Sequence, residues 1–206
     1  MPVRALIALL LVLVAGAADA AVLIEARSRG EPLRLVVDWQ GGRVRVERPG
    51  EAHLVDLAAG FVYELGATPT RTSAFLRPGY QEPPPWRLET FGPGPIRAGH
   101  ASIYHVLFLG EQVCAEILAN PWMIPFTDPG VQALALLERL KGEAPEAADC
   151  GEAPLTTLGA AGWPLLVGKI DRPTLETRSI RFDYRPPAGE LAVPAPFAEP
   201  IQGGQP

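Results

Sequence analysis

The sequence predicts a mainly β domain of the α+β class, built from antiparallel strands with a single covering helix late in the chain. Three observations carry that expectation. Between Leu33 and Leu65 apolar and polar residues alternate with a period of two, broken by glycine-containing turns. The same alternation returns at Ile103 to Leu118 and at Trp163 to Tyr184. Beyond the first 20 residues, only the stretch 129–141 places its apolar residues at helical spacing.

The chain opens with Arg4, an apolar run from Ala5 to Ala15, and Ala18-Asp19-Ala20. A span of a bilayer takes about 20 apolar residues, so this run is too short for one. A cation, a short apolar stretch and a small-x-small triplet, in that order, read as a secretory signal peptide over residues 1–20, with the mature chain starting near Ala21. No Cys stands near the cut, which argues against lipid attachment there. In residues 33–47, Leu33, Leu35, Val37 and Trp39 face one way, and the Gln40-Gly41-Gly42 turn leads into Arg43-Val44-Arg45-Val46-Glu47, a hairpin with one wet face. His53 to Leu57 and Phe61 to Leu65 extend the meander.

Residues 78–95 carry Pro78, Pro83, Pro84, Pro85, Pro93 and Pro95. Proline cannot donate to a strand ladder, so this stretch reads as a long loop or an extended edge. Strands resume at Ile103 to Leu109 and Val113 to Leu118. Asp128-Pro129 then offers an N-cap with proline at the first helical position, and Val131, Leu134, Leu137 and Leu140 form an apolar stripe that Lys141-Gly142 closes. The last strands run from Trp163 to Asp171 and from Thr174 to Tyr184, where Ile180, Phe182 and Tyr184 are expected on one face. Phe197 is the last residue expected to pack, so the single domain covers 21–197 and 198–206 form a disordered tail. The two cysteines, Cys114 and Cys150, read as a disulfide in an exported chain, worth roughly 3–4 kcal/mol by loop entropy.

Several short motifs follow one another in a familiar order: Gly42-Arg43-Val44-Arg45-Val46-Glu47, the hairpin Leu54-Val55-Asp56-Leu57 to Phe61-Val62-Tyr63-Glu64-Leu65, and Ala98-Gly99 before Tyr104-His105-Val106. Cys114-Ala115-Glu116-Ile117 precedes the helix, Gly162-Trp163-Pro164-Leu165 opens a late strand, and Phe197 follows prolines. This order resembles a group of bacterial periplasmic domains of uncharacterised activity, similar in architecture to the lipoprotein carriers LolA and LolB and to RseB. The resemblance implies an incomplete antiparallel barrel, a curved sheet whose concave face is covered by a helix at about 129–141, and a periplasmic location. In the carriers the space between sheet and helix holds acyl chains. Strand-like sequence here begins almost at Val22, so the amphipathic helix the carriers place before their first strand has no counterpart.

A net charge of −5 without a basic cluster lacks the footprint of a nucleic-acid binder. The histidines, His53, His100 and His105, show no metal-ligand spacing, and His100 and His105 fall on opposite faces of a regular strand. No nucleotide or cofactor motif is present, and the best serine candidate, Ser102, lacks a nucleophile-elbow context. The tryptophans say more. Trp86 and Trp122 sit in loop-like sequence, and Trp122 with Met123, Ile124 and Phe126 makes an apolar mouth. The leading expectation is a non-enzymatic binder of an apolar ligand, a lipid or lipoprotein acyl chain, or of a protein segment, through Trp39, Trp122, Phe126, Leu134 and Leu137. An envelope interaction or assembly factor docking through the Pro78 to Pro95 loop comes second, and a serine hydrolase third.

Overall fold

The structure, a computed structural model, describes residues 20–73, 86–141, 159, 161–169 and 172–197. The signal segment, most of the proline-rich segment before Trp86, Cys150 and the tail after Phe197 therefore lie outside the described residues. Eleven strands form one antiparallel sheet: β1 (Ala21–Ser28), β2 (Glu31–Asp38), β3 (Arg43–Arg48), β4 (Glu51–Asp56), β5 (Phe61–Glu64), β6 (Thr70–Ser73), β7 (Trp86–Arg97), β8 (His100–Leu109), β9 (Gln112–Asn120), β10 (Trp163–Lys169) and β11 (Arg172–Tyr184). The spatial order is β6-β5-β4-β3-β2-β1-β11-β10-β9-β8-β7, so two meanders join where β1 pairs with β11. The sheet curves without closing, and β6 and β7 are its edges. One helix, α1 (Ile124–Lys141), covers it, packing on β2, β3 and β10. The expected incomplete barrel with a covering helix is the fold observed.

The alternation read from the sequence sorts residues between the two faces. Val22, Ile24, Leu33, Leu35, Val37, Val44, Val46, Val55 and Val62 point to the concave face and join Ile117, Trp163, Leu165 and the helix residues Val131, Leu134 and Leu137 in one core. At Gly130 a Cβ would lie 3.2 Å from Val37 Cγ2 and 3.5 Å from Trp163 Cζ3, so the helix backbone rests directly on β2 and β10. Turns follow local chemistry. Asp38 Oδ1 accepts from Gly41 N at 2.7 Å, and Ala98 (φ 49°) with Gly99 (φ 79°) forms the tight left-handed link that pairs Arg97 with His100.

Two expectations change, and one pair of alternatives is decided. The helix starts at Ile124, not near Pro129, because the signal read at Asp128-Pro129 is already present at Asn120-Pro121. Asn120 Oδ1 accepts from Trp122 N at 3.0 Å and opens a 3₁₀ turn, Pro121–Met123, that runs into α1, leaving Pro129 inside the helix. Of the two readings of the proline-rich stretch, the extended edge holds for its described part: 86–97 is the edge strand β7, where the missing N–H groups of Pro93 and Pro95 are tolerated because no strand among the described residues pairs with its other side. Finally, Ile180 and Tyr184 lie on opposite faces. The register between β1 and β11 slips between Leu23–Arg181 and Ala21–Tyr184, and this bulge turns Tyr184 to the convex side.

On that convex side the segment 185–197 straps back across the first meander. Leu191 and Tyr184 pack on Ala21, Leu23 and Val36, and Phe197 meets Tyr63 with ring centroids 5.6 Å apart. Arg34 donates to Glu47 at 2.8 Å, to Glu190 at 2.7 Å and to the Tyr184 hydroxyl at 3.0 Å, while Arg45 donates to Glu47 at 2.6 Å. Burial opposes the charge on Glu47, but hydrogen bonds from Arg45 and Arg34 outweigh it and hold its pKa below the ordinary 4.5. A carboxyl whose folded pKa is depressed stabilises the fold above its unfolded pKa, and that contribution fades as pH falls through the folded value. Urea denaturation across this acid range checks it: the stability difference between wild type and Glu47→Gln should be full above about pH 4.5 and vanish in stronger acid.

Candidate functional site

The end of the barrel where α1 begins gathers most of the sequence-predicted aromatic residues. Trp39, just past β2, meets Phe126 of α1 edge-on with centroids 5.2 Å apart. Phe126 meets Phe182 of β11 at 5.5 Å, and Phe182 meets His100 at the start of β8 at 6.1 Å. Four rings from four elements thus form a continuous row. Such edge-on pairs add about 0.5–1.5 kcal/mol each beyond their buried area. Trp122 and Ile124, at the turn that leads into Phe126, remain open, with Trp122 68% and Phe182 37% exposed.

The local sequence explains this arrangement. Asn120 ends β9 opposite Trp163 and also donates from Nδ2 to Ala101 O at 2.9 Å, which fixes the turn to β8 and β10. Pro121 starts the 3₁₀ turn, which buries Met123 and turns Trp122 outward, and Thr127 Oγ1 closes the first helical turn on Met123 O at 2.8 Å. Clustered large apolar side chains left in water on a folded domain usually mark a contact surface.

Of the five predicted binding residues, the structure brings Trp39 and Phe126 together and leaves Trp122 exposed on the turn that opens α1. Leu134 and Leu137 are not there: at 1% and 3% exposed they are filled into the core beneath α1, because the helix lies directly on the sheet at that point. Phe182 and His100 belong to the row and were missed by sequence reasoning. No local signal marks them, since their meeting depends on β8 and β11 flanking β9 and β10 across the sheet. Trp163 is buried in the core, where Nε1 donates to Thr177 Oγ1 at 2.9 Å. Trp86 opens β7, opposite Leu109, at the far end of β8 from this row.

The other candidate chemistries fall elsewhere. The Ser102 hydroxyl is buried and donates to Pro95 O at 2.6 Å, which occupies the proton a general base would need to remove. His105 faces the core, 6% exposed, with Nδ1 3.0 Å from Thr90 Oγ1, and desolvation lowers its pKa and keeps the ring neutral. No group of three or more His, Cys, Asp and Glu among the described residues could hold a metal ion. No helix among them is long and apolar enough to cross a membrane. Cys114 lies on β9, and its expected partner Cys150 is outside the described residues. No protein family, no curated protein and no solved structure matches this chain.

Proposed function

We propose that this protein is an exported, non-enzymatic binder of an apolar ligand, a lipid or a lipoprotein acyl chain, taken up at the aromatic end of the sheet. The observation that carries the reading is the Trp39–Phe126–Phe182–His100 row, with Trp122 exposed on the turn that leads into Phe126. Rings in mutual contact offer a broad, rigid apolar surface that loses little side-chain entropy when a hydrocarbon covers it. The sequence supports the setting: residues 1–20 read as an export signal, an oxidising compartment suits a Cys114–Cys150 bridge, and the resemblance to the LolA and LolB group associates a curved sheet and helix with acyl chains.

An acyl-chain fluorophore titrated into the purified protein tests the reading. Saturable binding is expected, and Phe126→Ala combined with Trp122→Ala should weaken it by about 10-fold or more, as loss of two large apolar contacts implies. Equal binding by the double variant, with its fold intact by circular dichroism, would remove the row from the function.

A second reading has its own observation. Edge strand β7 carries Phe91 and Ile96 largely exposed, which suits addition of a strand from an envelope protein partner.

A further inference from the structure

β7 and β8 pair so that Trp86, Leu88 and Thr90 lie opposite Leu109, Leu107 and His105. Leu107 belongs to the concave core, and Trp86 and Leu88 pack against it. His105 stands two residues from Leu107 and therefore turns to the same face. Its Nδ1 is taken by Thr90 Oγ1, but its Nε2 is buried with no hydrogen-bond partner. Trp86 Nε1, on the same face, is also buried and unpartnered. Buried polar atoms in folded proteins are nearly always satisfied, so two orphans on one face call for a partner that the described residues do not supply.

The chemistry of that partner follows from the donors. An indole N–H only donates. When the Thr90 hydroxyl donates to Nδ1, the neutral imidazole carries its proton on Nε2 and donates as well. Both donors are uncharged. The residues paired directly across from His105 are Thr90 and Ile117, neither of which could neutralise an anion. A carboxylate would lose its hydration there without gaining a counter-charge, whereas a carbonyl oxygen would lose little.

We propose that His105 and Trp86 are the polar anchor of the binding site and donate hydrogen bonds to uncharged oxygens of an acylglycerol, the ester carbonyl at His105. This rests on the apolar-ligand reading and adds to it the chemical class of the ligand's polar end.

Long-range proton–nitrogen NMR of histidine-labelled protein tests it, with the His105 signals identified by their loss in His105→Phe. The probes are monooleoylglycerol as the ester, oleate as the carboxylate and dodecane as bare hydrocarbon. The ester should move the Nε2 resonance of His105 while leaving it a protonated, pyrrole-type nitrogen. His105→Phe should weaken ester binding about 10-fold, the scale of one buried hydrogen bond, and change dodecane binding by less than about 2-fold. If the ester binds but Nε2 does not move, or if oleate binds more tightly than the ester, the anchor is wrong while the apolar-ligand reading stands. If none of the three probes binds, both fall. Should His105→Phe fail to fold, Trp86→Phe supplies the affinity comparison, and the response of the Thr90-bonded histidine in wild type decides between these results.

Discussion

Replacing Trp163 with alanine should lower the stability of the domain by about 3–5 kcal/mol, measured by urea denaturation. Trp163 is 1% exposed and stands where β9, β10 and α1 meet. It pairs with Asn120 of β9 and lies under Gly130, the point at which the helix touches the sheet. Its removal leaves a cavity that the neighbouring backbone cannot fill, since strands on both sides fix the ladder. The indole N–H bond to Thr177 Oγ1 is lost as well, although that hydroxyl keeps its own bond to Pro164 O at 2.8 Å. Trp163→Phe retains most of the volume and should cost less than half as much. An equal cost for both variants would mean that the hydrogen bond, not the packing, holds this junction.

Gly162→Ala should be as damaging for a different reason, by about 2–5 kcal/mol, and it should also impair ligand uptake. Gly162 has φ +103°, which L side chains rarely adopt. A Cβ there would meet Asn120 O and lie 2.6 Å from both Asn120 C and Pro121 Cα. These are backbone atoms of the turn that opens α1, so relief can come only by moving that turn, and Trp122 moves with it. Gly130→Ala is the informative contrast. Its nearest contacts are side-chain methyl and ring atoms, and alanine improves helix propensity by up to about 1 kcal/mol, so the net effect should be close to zero. Thermal melts and acyl-probe binding on the two alanine variants check both expectations.

The strands were legible because each buries one face, so a two-residue period survives in the sequence from Leu33 onward. The core face of β2 and β3 follows from it directly. The start of the helix was not legible in the same way. Asn120-Pro121 and Asp128-Pro129 carry the same cap-then-proline signal, and the choice between them is made by tertiary partners: Asn120 also ties β9 to Ala101 on β8, whereas Asp128 accepts only from Gln132 within the helix, at 2.6 Å. Strand β7 was obscured because its prolines oppose strand formation everywhere but at an edge, and which strand is an edge is a property of the whole sheet. The aromatic row was half legible. Trp39, Trp122 and Phe126 stand out in turn-rich sequence, but Phe182 and His100 look like ordinary strand residues until the order β11-β10-β9-β8 carries them to the same end of the barrel. The convex strap is non-local in the same sense, joining Arg34 to Glu190 across 156 positions of sequence.

In the proposed reading, His105 and Trp86 hold the polar end of the ligand and the aromatic row its apolar end. His105 and His100 both lie on β8, and α1 packs on β2, β3 and β10. Whether a ligand occupies these residues is measured most directly by native mass spectrometry of the purified full chain, followed by solvent extraction. The predicted result is a bound species of lipid mass that is released into solvent and is reduced in the Trp122→Ala, Phe126→Ala variant. A protein that runs at its bare mass and shows no saturable uptake of monooleoylglycerol on titration would contradict the account.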